Sequence, residues 1–150
     1  MKLLMMTTIL TVFCCLTSFQ SHRTATYENT IADVLQSRYT KSQIDSFIRE
    51  IFADYADDLV FNSTSGRLKL ITEFLNRVEV ASKPEFAGKK FTLLSELQLQ
   101  NKYNKDLKRD QHIDPGKFNP LKYNFPMVSK SKMFYRIDNT DLLIIIYPMK

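Results

Sequence analysis

Asp110, His112 and Asp114 alternate along the run Asp110-Gln111-His112-Ile113-Asp114. In an extended segment alternate side chains point to one side. Two carboxylates and an imidazole so placed suit a divalent cation or a general acid–base pair. They are the chain's best catalytic candidates, and they would make it a small metal-dependent or acid–base hydrolase. The only other histidine is His22, which leaves a zinc set incomplete. A solvated polar loop accounts for the same residues, so no metal and no cofactor is expected.

A second cluster is Asp54, Asp57 and Asp58. On one continuous helix Asp54 and Asp58 would stand four apart on one face, near a C-terminus that disfavours negative charge. A cation or a basic partner could gather there. A solvated face, or pairing with the basic second half of the chain, is the simpler expectation.

The third group is basic and aromatic. Lys102, Lys105, Lys108, Arg109, Lys117, Lys122, Lys130 and Lys132 interleave with Tyr103, Phe118, Tyr123 and Phe125. Of these, Lys102, Tyr103, Lys105, Lys108, Arg109, Lys117, Lys122 and Tyr123 are the candidate binding residues. Such a surface attracts anions. Solubility charge around core aromatics is the competing explanation. Nucleophilic catalysis has little support. There is no Gly-x-Ser-x-Gly, and three scattered glycines build no phosphate loop.

Charge is uneven along the chain. Residues 27–82 carry six Lys/Arg against nine Asp/Glu, and residues 83–136 carry twelve against five. The compartment is written at the start. Lys2 precedes an uncharged apolar run from Leu3 to Phe19, and the small residues Ser18 and Ser21 stand before His22-Arg23. This is the plan of a secretory signal peptide over 1–21. An uncleaved anchor is the alternative, though the run is short for a span. Both cysteines, Cys14 and Cys15, lie inside it. Either could carry a lipid anchor, but Phe13 fits such a cleavage site badly. The export reading predicts a periplasmic or secreted protein. It would have no mature cysteine and no transmembrane helix after signal removal.

These groups need elements to position them. Residues 22–41 read as a flexible or weakly structured arm, and 42–150 as a single domain. Ile44, Phe47, Ile48, Ile51, Phe52, Tyr55 and Leu59 form one apolar stripe at helical spacing, predicting a helix from Ser42 to Leu59. Ser42 would cap it, with Asp45 in the first turn. Asn62-Ser63-Thr64-Ser65-Gly66 is a turn by composition. A second helix should run from Arg67 to about Arg77, pairing with the first as a helical hairpin. Val78 and Val80 then alternate as a strand. Over 91–99 helix and strand patterns compete, with an extended segment preferred. Residues 100–127 form a long polar loop, held down by Tyr103, Phe118, Leu121, Tyr123 and Phe125. The end is a β-hairpin. Met133–Asp138 leads into Leu142–Tyr147, whose three consecutive isoleucines leave no polar face for water. That run should be a central strand. The helices should cover one sheet face, and the long loop an edge or the other face, with its lysines outward. The fold class is α+β: an N-terminal helical hairpin on a small, mainly antiparallel sheet closed by a C-terminal β-hairpin.

Asn101-Lys102-Tyr103-Asn104, Leu107-Lys108-Arg109-Asp110, Phe118-Asn119-Pro120-Leu121-Lys122-Tyr123 and Tyr135-Arg136-Ile137-Asp138-Asn139-Thr140-Asp141 together resemble a group of small secreted proteins of unknown function in Bacteroidetes-type bacteria. The resemblance covers roughly the last half of the chain and the leader. It implies an exported bacterial protein and supplies no activity or catalytic residue. The expectation is therefore a non-enzymatic binding or interaction protein of the bacterial envelope. Its partner would be an anionic glycan, a lipid headgroup or an acidic protein, and not nucleic acid. A structural accessory subunit of an envelope complex is a further alternative.

Overall fold

The computed structural model describes residues 38–149. The expected signal peptide, Cys14, Cys15, His22 and the arm up to residue 37 lie outside the described residues. Arg38–Thr40, assigned to the arm by sequence, belong to the fold. Tyr39 is buried with its ring edge-on to Phe47, and the Arg38 backbone N–H donates to Asn76 Oδ1.

Helix α1 spans Lys41–Phe52. Its cap is Thr40, not Ser42. Thr40 Oγ1 accepts from the Gln43 N–H while the Gln43 side chain accepts from the Thr40 N–H, a reciprocal capping box. Ile44, Phe47, Ile48 and Ile51 are buried as the stripe predicts. The helix stops seven residues before Leu59. Ala53 takes φ 47° and ψ −128°, the region of the first corner of a type II′ turn, where glycine dominates. A 3-10 turn over Ala53–Tyr55 and a π turn over Asp57–Phe61 follow. The stripe is thereby rotated. Ala56 and Val60 enter the core, while Tyr55 leaves it at 54% exposed.

A non-glycine residue in that conformation stores about 1–3 kcal/mol of strain. Glycine relieves it and costs about 0.5–1 kcal/mol of backbone entropy. Ala53→Gly is therefore expected to stabilise the domain by about 1 kcal/mol, visible as a melting temperature higher by about 4 °C. An unchanged or lower melting temperature would mean that Ala53 carries no such strain.

The turn at 62–66 is present, with Gly66 at φ 68° capping helix α2, Arg67–Asn76. Strand β1 is Val78–Ser82, β2 is Thr92–Leu93, β3 is Met133–Arg136 and β4 is Leu142–Ile146. The sheet order is β1-β4-β3-β2. β4 is central, antiparallel to both β1 and β3, as its apolar run predicts. β2 adds a short parallel pairing to β3, which makes the sheet mixed. The region 91–99 is neither one strand nor one helix. β2 passes into a 3-10 turn at Leu94–Glu96, and Leu99 then bridges to Tyr123. The hairpin loop is longer than two residues. The Ile137 N–H bonds Leu142 O at 3.0 Å, with Asn139 at φ 55° inside the loop.

Register assigns the faces. Ile144 and Ile146 lie with Val78, Val80, Met133 and Tyr135. Tyr135 meets Phe125, and Phe125 meets Phe74 of α2. The long loop's anchor thus sits between helix and sheet, on the helix side and not across from it. Leu143, Ile145 and Phe134 face the other way. Their cover is Phe86 and Phe91, whose rings stand 5.0 and 5.6 Å from Phe134. Arg136 joins them, with its guanidinium over Phe91 and a hydrogen bond to Phe86 O. With both faces covered, Leu143 to Ile146 are at most 2% exposed. No helix among the described residues is long and apolar enough to cross a membrane.

Candidate functional site

The densest polar network gathers where the long loop meets the end of α1. Pro120–Lys122 forms a 3-10 turn capped by Asn119, whose Oδ1 accepts from the Leu121 N–H. Proline at the first position of that turn has no N–H to leave unpaired. Asn119 is itself buried, and its Nδ2 donates to Phe47 O at 3.1 Å and to Glu50 Oε2 at 2.9 Å. The turn aims Lys122 inward, and its side chain is only 8% exposed. Nζ lies 2.6 Å from Asp110 Oδ1 and 3.2 Å from Glu50 Oε1. Tyr123 donates its phenol to Asp110 Oδ2 at 3.0 Å.

The electrostatics follow from this geometry. Burial alone would lower the Lys122 pKa. The hydrogen bonds and charges of Asp110 and Glu50 outweigh it and raise the pKa above the ordinary lysine value. Burial pushes the Tyr123 phenol up to about 12. At neutral pH the lysine is a fixed cation and the phenol is neutral. Neither can act as base or nucleophile.

Beside the network is a depression of about 260 Å³ lined by Leu94, Ser95, Arg109, Asp110, Tyr123 and Asp138. That is below the roughly 300–1,000 Å³ of most small-molecule sites. Its polar groups are engaged with one another. Asp138 accepts from the Ser95 N–H at 3.0 Å and from the Ser95 hydroxyl. Burial would raise the Asp138 pKa, but the Ser95 hydrogen bonds, a hydrogen bond from its own backbone and the Arg109 charge together outweigh it and hold the carboxyl below its usual range. A weakly basic carboxylate with no imidazole between leaves Ser95 unactivated. The Arg109 guanidinium donates to Leu94 O at 3.1 Å and to Leu97 O, and lies over the Tyr123 ring.

The three-residue acid–base candidate is not assembled. Asp110 turns inward to Lys122. His112 is exposed, with Nδ1 2.7 Å from Gln111 O. Asp114 accepts from the Gly116 N–H and faces Lys117 at 3.7 Å. A bent turn, and not an extended segment, carries them, so their side chains diverge. Among the described residues no group of three His, Cys, Asp or Glu could hold a metal ion. The acidic cluster is also dispersed. The break at Ala53 takes Asp54 and Asp58 off one helix face, and Asp57 pairs with Arg49 at 2.9 Å, which also holds Asp45. That pairing is local and does not involve the basic second half.

Of the basic candidates, Lys102, Lys105, Lys108 and Lys117 are exposed. Lys122 and Tyr123 are buried and present nothing to a partner. Arg109 is exposed but spent on two backbone carbonyls. Tyr103 is half-buried, stacked on Phe52. Sequence reading missed Glu50, Asn119, Ser95 and Asp138. The Asn-Pro pair at 119–120 was the one local signal for a turn start. Ser95 and Asp138 are 43 residues apart and carry no mutual signal. The chain matches no protein family, no curated protein and no solved structure.

Proposed function

We propose that this is an exported, non-enzymatic binding protein of the bacterial envelope, which meets an anionic glycan through its basic, loop-rich half. One observation supports the reading above the others. Lys122, Asp110 and Tyr123 are locked in one internal network and Ser95 and Asp138 in another, while Lys102, Lys105, Lys108 and Lys117 reach solvent from one loop region. The excess of twelve Lys/Arg over five Asp/Glu across 83–136 gives that half a positive field. A lipid headgroup or an acidic protein would feel the same field.

The test uses alginate, a polymer of uronic acids, and vesicles of phosphatidylglycerol. Wild type should bind alginate with an affinity that falls steeply as salt rises. Lys105, Lys108 and Lys117 replaced together by Gln should weaken binding roughly tenfold at low salt with the melting temperature unchanged. Arg109 is spared because its guanidinium holds the 94–97 turn. Retained affinity in the triple variant would sink the basic-face reading. Binding to vesicles and not to alginate would replace the glycan by a lipid surface.

A further inference from the structure

The break in α1 builds a surface that neither the charge network nor the lysines explain. Ala53 holds a backbone conformation unfavourable to alanine, and its consequence is that Tyr55 stands out of the core at 54% exposed. The ring does not stand alone. Its centroid is 5.6 Å from that of Tyr103, and Tyr103 stacks on Phe52 at 5.3 Å and 25°. Two segments distant in sequence therefore contribute to one aromatic shelf. Asn104 Nδ2 donates to Glu50 O at 2.8 Å, which fixes the loop carrying Tyr103 against the end of α1. Lys102 Nζ lies 5.0 Å from the centre of the Tyr103 ring. Among the described residues neither the Tyr55 nor the Tyr103 phenol has a hydrogen-bond partner. Strain of this kind persists where surrounding structure enforces it, often at binding sites.

We infer that the Phe52–Tyr103–Tyr55 shelf stacks against a sugar ring of a sparsely charged anionic polysaccharide, with Lys102 beside it meeting the acidic group. The inference rests on the binding reading above and names where the ring, as distinct from the charge, is held. A pyranose has an apolar C–H face that matches the negative face of an aromatic ring. Its hydroxyls need polar neighbours at the rim, which the free phenols, Lys102 and the exposed Asp54 supply. Nucleic-acid bases also stack on such rings. A phosphate on every nucleotide would meet Asp54, Asp57 and Asp58, which follow directly along the same surface segment. Mixed charge at the shelf, where the acidic segment of Tyr55 meets the basic loop of Tyr103, fits a chain that carries a charge on fewer than all of its sugars.

The test is calorimetric titration of the full domain with a hexameric hyaluronan fragment, whose acidic groups fall on alternate sugars, and separately with an oligothymidylate. Tyr55→Ala should lower affinity for the hexamer roughly tenfold and leave both the melting temperature and the salt dependence unchanged. Tyr55→Phe, which keeps the ring, should stay within about twofold of wild type, and bound hexamer should show upfield-shifted sugar C–H resonances that Tyr55→Ala abolishes. Unchanged affinity in Tyr55→Ala, with the lysine triple variant still impaired, would remove the shelf and leave the basic-face reading standing. Tyr55-dependent binding of oligothymidylate without binding of the hexamer would overturn the sugar assignment. Absence of binding to both would overturn it as well.

Discussion

Ile51→Asp should unfold the domain. Ile51 is 4% exposed on the stripe that Ile44, Phe47 and Ile48 share. An ionised carboxylate there has no partner, and burying it costs several kcal/mol even after the group shifts toward neutrality. Domains of this size are stable by about 5–15 kcal/mol, so the loss approaches the whole. Tyr55→Asp provides the contrast. On an unbroken helix Tyr55 would share the stripe with Ile51, four residues away, and the same substitution would be as damaging. With Tyr55 on the surface, the change should stay within about 1 kcal/mol. Asp54→Asn, at an exposed position, should be near neutral. Urea titrations followed by circular dichroism separate the cases. A cooperative wild-type-like transition in Ile51→Asp would remove Ile51 from the core, and unfolding by Tyr55→Asp would restore the continuous helix.

That contrast marks where local pattern stops carrying information. α1, α2, β1 and the β3–β4 hairpin were legible because each buries a periodic set of residues that are near neighbours in the chain. The central position of β4 followed from an apolar run with no polar side. The end of α1 was not legible. Alanine is the best helix former, and nothing at Ala53 announces a positive φ. The second sheet face was missed for a related reason. Phe86 and Phe91 each look like an isolated aromatic in a weak segment, and only the register of β2 on β3 brings them to Phe134. The candidate site suffered most. Lys122 reads as one more surface lysine in a basic loop, because its burial depends on Glu50 of α1 and Asp110 of the loop. Sequence reading places a lysine outside by default, and only a paired carboxylate reverses that.

The Lys122 pair is accordingly where removal should hurt. Lys122→Ala leaves the Asp110 and Glu50 carboxylates near each other with no cation between them. Breaking a buried pair costs about 3–5 kcal/mol. Solvent reaches both carboxylates here, with side chains 25% and 41% exposed, so the expected loss is about 2–3 kcal/mol. The same network sets the alkaline limit. The fold raises the Lys122 pKa, so the stability it lends is complete below the unfolded lysine value of about 10.4 and is lost as pH climbs through the folded one. Tyr123 acts in the same direction. Its phenol, raised from 10.0 to about 12, favours folding while neutral, and that contribution drains away between those two values. Two pH units of linkage amount to about 2–3 kcal/mol. Tyr39, Tyr135 and Tyr147, also raised, deepen the same limb. Unfolding free energy measured from about pH 9 to about pH 12 should therefore fall steeply in wild type and less steeply in Tyr123→Phe, which has no proton to lose there. Lys122→Ala should start lower at neutral pH and also descend less. An alkaline limb of equal slope in wild type and Tyr123→Phe would show that Tyr123 does not titrate in this window. Wild-type stability of Lys122→Ala at neutral pH would show that the two carboxylates never needed their cation.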